Sequence, residues 1–156
     1  MTVGILQNYE PKIFFKWFES LTQIPRPTFH EEKVACFIEE YAKQHKYNYY
    51  RDTNNNVVVY VPATPGYEKE PSILLQAHLD MVAAKDEAIE FDFEKDPIKL
   101  RIVNGNEIMG SGTTLGADDG GGVAAMLAVG DDPEVQHPSL EMLFTTAEEE
   151  GFRGIR

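Results

Sequence analysis

The chain has 156 residues, which is the size of one domain with a substantial buried core. Its formal net charge is −12, and its 14 Lys and Arg residues form no basic cluster, so nucleic-acid binding is not expected. No stretch approaches the ~20 apolar residues of a membrane span, and the N-terminus lacks the pattern of a signal peptide. The single cysteine, Cys36, excludes a disulfide within the chain and favours a reducing, cytoplasmic setting.

Two amphipathic helices are predicted near the N-terminus. A helix from about Pro11 to Thr22 is indicated by apolar residues spaced one helical turn apart, namely Phe14, Trp17, Phe18 and Leu21. A second helix is predicted to begin at Thr28, with Glu31 completing a capping box. Cys36 falls on the apolar side of this second helix, which predicts that its thiol is buried.

Two pairs of short strands are predicted further along the chain. The first pair, Tyr47–Asp52 and Val57–Val61, is joined by three asparagines that favour a turn. The second pair, Ile98–Val103 and Glu107–Met109, is predicted to form a hairpin around an Asn-Gly turn.

Two other strands are nearly continuous apolar runs that end in polar residues. Ser72–Asp80 predicts a strand buried on both faces, as in a parallel or mixed sheet covered by helices. Leu140–Thr146 ends in the same way, and a helix of small residues is predicted from about Gly120 to Val129. We therefore expect an α/β fold with a mixed, mostly parallel sheet flanked by helices. Ligands of such folds bind beyond the carboxyl ends of the strands, where both runs deliver acidic side chains.

His78-Leu79-Asp80 ends the first apolar run. Residues two apart in a strand share a face, so His78 and Asp80 are expected on the same side. A neutral imidazole binds zinc through one nitrogen, while a carboxylate commonly holds the other. The alternative is a structural histidine at a strand end beside a solvated aspartate.

The Gly-rich loop Gly110–Gly122 contains Asp118 and Asp119 directly before the small-residue helix. A phosphate cradle is disfavoured, because the loop lacks the Lys-Ser/Thr pair of a P-loop and two aspartates would repel a phosphate. The aspartates suit a cation better, and the glycines allow close approach of the backbone. A glycine-rich turn with an aspartate at the helix N-cap is the alternative.

Three adjacent carboxylates, Glu148, Glu149 and Glu150, follow the second buried strand. A solvated run of charge is the usual interpretation of such a cluster. Adjacent side chains point in different directions, however, so one can bind a metal while its neighbour addresses a water. A carboxylate within hydrogen-bond reach of a metal-bound water is what a general base requires.

Together these motifs resemble those of the aminoacyl-histidine dipeptidases, which are zinc peptidases with two metal ions. The matching segments are IPRPTFHEEKV, RDTNNNVVV, PATPGYEKEPSILLQAHLDMV, DPIKLRI, GTTLGADDGGG and TAEEEGFRG, so the resemblance extends over nearly the whole chain. It implies that residues 1–156 are the N-terminal part of a metallopeptidase catalytic domain. One departure is Gly121, where the family usually has a larger apolar residue. Since glycine in a helix costs about 0.5–1 kcal/mol relative to alanine, we expect a loose start to this helix.

The resemblance implies a role for each candidate residue. His78 would bind one zinc, and Asp80 would orient His78. Asp118 would bridge both metals, and Glu149 would bind the second zinc. Glu148 would be the general base that activates a metal-bridging water.

The resemblance also implies a supporting role for Asp119, which follows the bridging position; the bond between Asp118 and Asp119 is typically cis in the family. The implied cofactor is Zn²⁺, two per complete active site, with Mn²⁺ or Co²⁺ as substitutes. The implied reaction is hydrolysis of dipeptides, especially carnosine-like Xaa-His dipeptides, and the full-length relatives are expected to be homodimers.

The ligand set within these residues is incomplete by the family's standard. A catalytic zinc normally has three protein ligands plus a water. Here one metal would have His78 and Asp118, and the other Glu149 and Asp118. The family adds a downstream carboxylate, a late histidine and a smaller dimerisation and lid domain, and we expect none of these within residues 1–156. We therefore expect the isolated 156 residues to bind zinc weakly and hydrolyse little. The other histidines, which match no ligand motif of the family, are His30, His45 and His137.

Two alternatives remain open from the sequence. Tripeptide or glutamyl-type aminopeptidases use similar His-x-Asp, Asp-Asp and Glu-Glu elements. The chain could also be a non-catalytic fragment that at most binds metal or a complementing piece.

Overall fold

The computed structural model describes residues 4–155. Three α-helices and six strands are present in this range, followed by a short 3₁₀ helix at Arg153–Ile155. The elements in chain order are α1 (Lys12–Thr22), α2 (Glu32–His45), β1 (Asn48–Arg51), β2 (Val57–Val61), β3 (Ile73–His78), β4 (Leu100–Val103), β5 (Glu107–Gly110), α3 (Ala117–Asp131) and β6 (Leu140–Thr145). None of the helices between residues 4 and 155 combines the length and apolar character that crossing a bilayer requires.

The main sheet has four strands in the order β1-β2-β6-β3, and β4 and β5 form a separate hairpin. β1 pairs with β2 and β2 with β6 in antiparallel fashion, whereas β3 pairs with β6 in parallel. The expected α/β class, with a mixed sheet flanked by helices, is confirmed. Parallel pairing is less extensive than expected, because within residues 4–155 only the β3–β6 pair of the main sheet is parallel.

The core lies between the helices and one face of the main sheet. Alternate residues of β2 and β6 point into it, as the two-residue period of a strand requires. Val57, Val59, Met142 and Phe144 are all fully buried there. The helices are layered on this side, since α2 contacts β1 and β2, α3 contacts β3, and α1 packs on α3.

β3 differs from its predicted burial. It lies at the edge of the described sheet, and its first residues are solvent-accessible: Ile73 is 46% exposed and Leu74 is 60% exposed. Only its C-terminal end, at Ala77 and His78, is buried. The expectation of a strand buried along its whole length on both faces is therefore wrong, because among residues 4–155 a single strand, β6, pairs with β3.

The start of α2 is also different from the prediction. α2 begins at Glu32 after Glu31, and no side chain caps it. Thr28 and Glu31 do not form a capping box, because the Thr28 hydroxyl bonds to Asp80 and Glu31 Oε1 accepts the N–H groups of Phe29 and Ala147 instead of that of Thr28. Cys36 is exposed rather than buried, with its sulfur 3.2 Å from Arg51 Nη1.

The start of α3 is irregular. The predicted helix Gly120–Val129 lies inside the observed one, which extends to Ala117 but has non-helical dihedrals at Asp118 and Asp119. The peptide bond between these two aspartates is cis, as the resemblance implied. The three glycines after Asp119 are helical, so the expected loose helix start is seen only at the aspartates that precede them.

Candidate metal centre

The predicted site residues come from three segments that meet at one edge of the sheet. His78 ends β3, Asp118 lies in the first turn of α3, and Glu148 and Glu149 follow β6. Parallel pairing aligns His78 with Thr145, so the polar ends of β3 and β6 lie side by side. This is the carboxyl-end location that the sequence predicted.

His78 is at the centre of the cluster. Its Nε2 atom lies 3.0 Å from Asp118 Oδ1 and 3.9 Å from Glu148 Oε2. One ligand atom each from His78, Glu148 and Glu149 can be chosen so that all three lie within 4.8 Å of one another. An imidazole nitrogen and several carboxylate oxygens therefore converge on one small volume.

The other ring nitrogen of His78, Nδ1, contacts Asp80 on the side of the ring away from the acidic cluster. Its Nδ1 atom lies 3.1 Å from the main-chain oxygen of Asp80 and 3.4 Å from Asp80 Oδ1. A carbonyl oxygen can only accept a hydrogen bond, so Nδ1 must carry the proton that is donated to it. The Nε2 atom is thereby left to face the acidic cluster, which is the orientation that a metal-binding histidine needs.

The carboxylates around His78 change its titration. Burial lowers the pKa of His78, but hydrogen bonds with Asp80 and Asp118 and the nearby negative charges outweigh burial and raise the pKa to about 9. The ring is therefore cationic at neutral pH when carboxylates alone surround it. A divalent cation that binds at Nε2 must displace this proton.

Asp80 is a fully buried carboxylate that organises the loop after β6. Its side chain accepts hydrogen bonds from the main-chain N–H groups of Glu148 (3.1 Å) and Glu149 (3.2 Å) and from the Thr28 hydroxyl (3.0 Å). Burial raises the pKa of Asp80, but these bonds and the contact with His78 outweigh it and lower the pKa below its usual range. Asp80 thus touches both His78 and the Glu148–Glu149 backbone.

The two adjacent aspartates have different surroundings. The side chain of Asp118 is 87% exposed and faces His78 Nε2. Asp119 points inward: its Oδ1 accepts a bond from Gly122 N (3.0 Å), and its Oδ2 accepts a long bond from His78 N (3.4 Å). A Cβ atom at Gly122 would lie 2.3 Å from Asp119 Oδ1, so a side chain there would displace the Asp119 carboxylate. Asp119 therefore accepts an N–H group from the regular part of α3 and also contacts the main chain of His78.

The glutamates lie in a field of like charge. Burial, together with the negative charges of Asp118, Glu148 and Asp80, raises the pKa of Glu149, although His78 opposes that shift. The side chain of Glu148 is 30% exposed, so it remains accessible to water. Mutual repulsion of this kind is relieved when a cation enters between the carboxylates.

Three residues that support the site were not predicted from the sequence to have that role: Arg26, Thr28 and Glu31. The Thr28 hydroxyl bonds to Asp80, and Glu31 Oε1 accepts the N–H of Ala147, directly before Glu148. Arg26 lies buried beneath the site. The motif IPRPTFHEEKV contains all three residues, but the local pattern indicated a helix start and no site.

The remaining histidines have other partners. His45 bonds to Asp131 Oδ1 and to the main chain of α2, and His137 bonds to its neighbouring proline carbonyl. His30 lies near Glu94, with 3.6 Å between Nε2 and Oε1. None of them joins the metal-competent cluster found among residues 4–155.

Comparison with known proteins places the chain in a family. The model of peptidase family M28 matches residues 55–156, which is more than half of the sequence and includes every candidate ligand. The chain belongs to this peptidase family.

Individual relatives agree with the resemblance to aminoacyl-histidine dipeptidases. A cytosol non-specific dipeptidase from Escherichia coli (strain K12) is 42% identical over 149 residues, which are 96% of this chain and 30% of that protein. The crystal structure of an aminoacylhistidine dipeptidase from Vibrio alginolyticus superposes with a TM-score of 0.92 at 39% identity, covering 97% of this chain and 31% of that one. A tripeptidase from Staphylococcus aureus subsp. aureus Mu50 superposes with a TM-score of 0.71 at 25% identity, covering 90% and 37% of the two chains. The chain thus spans about a third of the length of these relatives.

Replacement of Thr28 tests its bond to Asp80. In Thr28→Val the carboxylate loses one of its donors, so we expect the pKa of Asp80 to rise. Thr28→Ser keeps the hydroxyl and should leave this pKa unchanged. Carboxyl carbon chemical shifts followed by NMR against pH measure both, and equal Asp80 pKa values in the two variants would contradict the assigned bond.

The raised pKa of His78 predicts a pH dependence of stability. A histidine whose pKa is about 9 when folded and near 6.5 when unfolded stabilises the fold fully below pH 6.5. This contribution disappears as the pH rises from 6.5 through 9. Urea unfolding in the presence of a chelator should therefore show a fall in unfolding free energy over this window that His78→Gln reduces. An identical pH profile in the variant would contradict the shift.

Proposed function

We propose that this chain carries the metal-binding part of a dipeptidase active site that uses Zn²⁺. The observation that supports this most directly is the convergence of His78, Glu148 and Glu149 at the ends of two parallel strands, with the Asp118 carboxylate of α3 3.0 Å from His78 Nε2. Family membership supports the peptidase class. The metal, the reaction and the substrate are proposed on these two grounds together.

The donor atoms of this site fit a divalent cation of intermediate hardness. His78, Asp118 and Glu149 offer one imidazole nitrogen and carboxylate oxygens, a combination that suits zinc and that Mn²⁺ or Co²⁺ also accept. Asp118, whose exposed carboxylate faces His78 Nε2, is proposed from the family resemblance as the ligand shared by two ions. When bound, such ions polarise the peptide carbonyl and make a water more acidic.

Glu148 is proposed as the general base. Its carboxylate is partly exposed, and its main chain is fixed by the bond from its N–H to Asp80. In this role Glu148 takes a proton from the attacking water and passes it to the amine that leaves when the peptide bond breaks. Asp80 holds the Glu148 backbone and the His78 ring in one arrangement, and Asp119 supports His78 from the helix side.

The proposed substrates are dipeptides, with preference for those that have a C-terminal histidine. The likeness to an aminoacylhistidine dipeptidase and to a cytosol non-specific dipeptidase supports a dipeptide substrate and a cytoplasmic location. Tripeptide cleavage is the second candidate, because a tripeptidase also shares the fold and 25% of the sequence. A homodimer is proposed for the full-length relatives.

Residues 1–156 alone are proposed to bind zinc weakly and to turn over little substrate. Within the described residues the cluster gives each of two metals only two protein ligands, if Asp118 is shared. Three is the usual number for a catalytic zinc. The corresponding alternative is a non-catalytic piece that at most binds metal or a complementing segment.

Metal binding can be measured on the chain itself. We expect calorimetry to show zinc binding by the wild type that Asp118→Ala weakens at least ~10-fold, since each shared ligand supports both ions. Glu141→Ala removes an exposed carboxylate from the same protein at the far end of β6 and serves as the control. If zinc fails to bind the folded wild type, or binds both variants equally, the metal role of Asp118 is wrong.

Catalysis can be measured in a chimera. The 149 residues aligned with the E. coli dipeptidase would replace the corresponding part of that enzyme, which supplies the remaining two thirds of its length. We expect hydrolysis of Xaa-His dipeptides that Glu148→Gln lowers by about 10²-fold or more in kcat, as loss of a general base predicts. Glu150→Gln, which alters the exposed neighbour, should change kcat little. Equal effects of the two substitutions would refute the assignment of Glu148.

A further inference from the structure

Arg26 is a buried charged residue that the mechanism above does not use. Only 3% of it is exposed, and it lies in the segment between α1 and α2. Burial lowers the pKa of Arg26 to about 10, although the negative charges of Asp80 and Asp119 oppose that shift. The guanidinium is therefore still charged at neutral pH. Burying a charged guanidinium costs desolvation free energy, so the groups that accept its hydrogen bonds indicate its role.

Those partners are main-chain carbonyls from two different loops. Nη1 donates to Leu79 O (2.7 Å) and Asp80 O (3.2 Å), in the loop that follows His78. Nη2 donates to Gly116 O, two residues before Asp118. The main chain of Arg26 adds a further link, because its own carbonyl accepts the N–H of Met81. One planar guanidinium thus spans the gap between the two loops that present the candidate ligands.

The glycines of the second loop fit closely around this group. A Cβ atom at Gly116 would lie 2.7 Å from Arg26 Nη2, and one at Gly120 would lie 2.6 Å from the same atom. By contrast, a Cβ at Gly121 would have no heavy atom within 4 Å. The guanidinium therefore contacts the first turn of α3 directly, and the room for it is provided by the absence of side chains at Gly116 and Gly120.

We propose that Arg26 is a positioning residue that sets the separation between the His78 loop and the Asp118 loop, and so prepares the site for its metal. Only the second part of this proposal, preparation of the site for a metal, rests on the function proposed above. The fork of the guanidinium is what makes the bridge, since it directs separate N–H groups to carbonyls on either side. A lysine has one nitrogen and cannot reach both loops with the same geometry.

The first measurement needs no metal. Spin labels at Val82→Cys and Ala117→Cys, in a Cys36→Ser background, report the short distance between the two loops by dipolar broadening of their continuous-wave electron paramagnetic resonance spectra. We expect a narrow distribution in this parent and a broader or displaced one in Arg26→Lys. Gly120→Ala, which pushes against the guanidinium without removing its charge, should act in the same direction. Gly121→Ala is the matched control, and it should leave the distribution unchanged.

The second measurement is zinc affinity, determined on the same substitutions without the labels. Arg26→Lys and Gly120→Ala should each weaken zinc binding at least tenfold, while Gly121→Ala should not. A purely structural arginine would lower the urea midpoint of Arg26→Lys yet leave the affinity of its folded fraction and the loop distance intact. That result overturns the proposal.

The two measurements separate this proposal from the proposed function. If wild-type protein binds no zinc, the metal function fails, and the distance measurement still decides whether Arg26 sets the loop separation. If distances in folded Arg26→Lys match the parent, or if Gly121→Ala disturbs them as much as Gly120→Ala, the positioning role is wrong whatever the zinc affinity. Should Arg26→Lys not fold, the Gly120→Ala and Gly121→Ala pair gives the decision.

Discussion

The parallel pairing of β3 with β6 is the constraint on which the site depends. It aligns His78 with Thr145 and brings together chain segments that are far apart in sequence. Because both strands run in the same direction, their polar ends leave the sheet at the same edge, where main-chain groups are no longer used by the ladder. These free N–H groups need acceptors, and the Asp80 carboxylate supplies one for Glu148 and Glu149.

Asp80 therefore links the geometry of the sheet to the electrostatics of the site. A fully buried carboxylate would be costly without partners, but this one is satisfied by three donors and faces the His78 ring. The same contacts fix which side of the imidazole is free. Because Nδ1 is hydrogen-bonded to the Asp80 main chain, Nε2 points toward Asp118. The position of Nε2, the candidate ligand atom, therefore follows from a hydrogen bond on the opposite side of the ring.

The features that were predicted correctly from the sequence are those that depend on local periodicity and on strand direction. The strand β2, the apolar run of β6 and the turn between the first two strands all appear where expected, and His78 and Glu148 converge because strand ends converge. Thr28 and Glu31 show why other features were missed. Their spacing satisfies a local rule for a helix start, yet their side chains bond to Asp80 and to Ala147, which are 52 and 116 residues away. No local pattern contains such partners.

The burial of Cys36 and of β3 was predicted wrongly for a related reason: both depend on which elements pack nearby, and apolar patterning does not contain that information. The glycines after Asp119 also have a packing role that apolar patterning did not indicate. In the sequence they indicated only a weak helix start, whereas in the fold Gly120 leaves room for the guanidinium of Arg26 and Gly122 leaves room for the carboxylate of Asp119. Glycine's cost to the helix is thus offset by two polar contacts that a side chain would block.

The charges around the site follow from these contacts. Several carboxylates face one another across a few ångströms, and two cationic groups lie among them: the buried guanidinium of Arg26 and the ring of His78, whose pKa is raised to about 9. The two cations differ in kind. Arg26 keeps its proton and is fixed behind the loops by carbonyls, whereas the proton on His78 Nε2 occupies the position where a metal would bind. A divalent cation can replace that proton without disturbing Arg26, so the fold can stay the same while the charge at the front of the site changes.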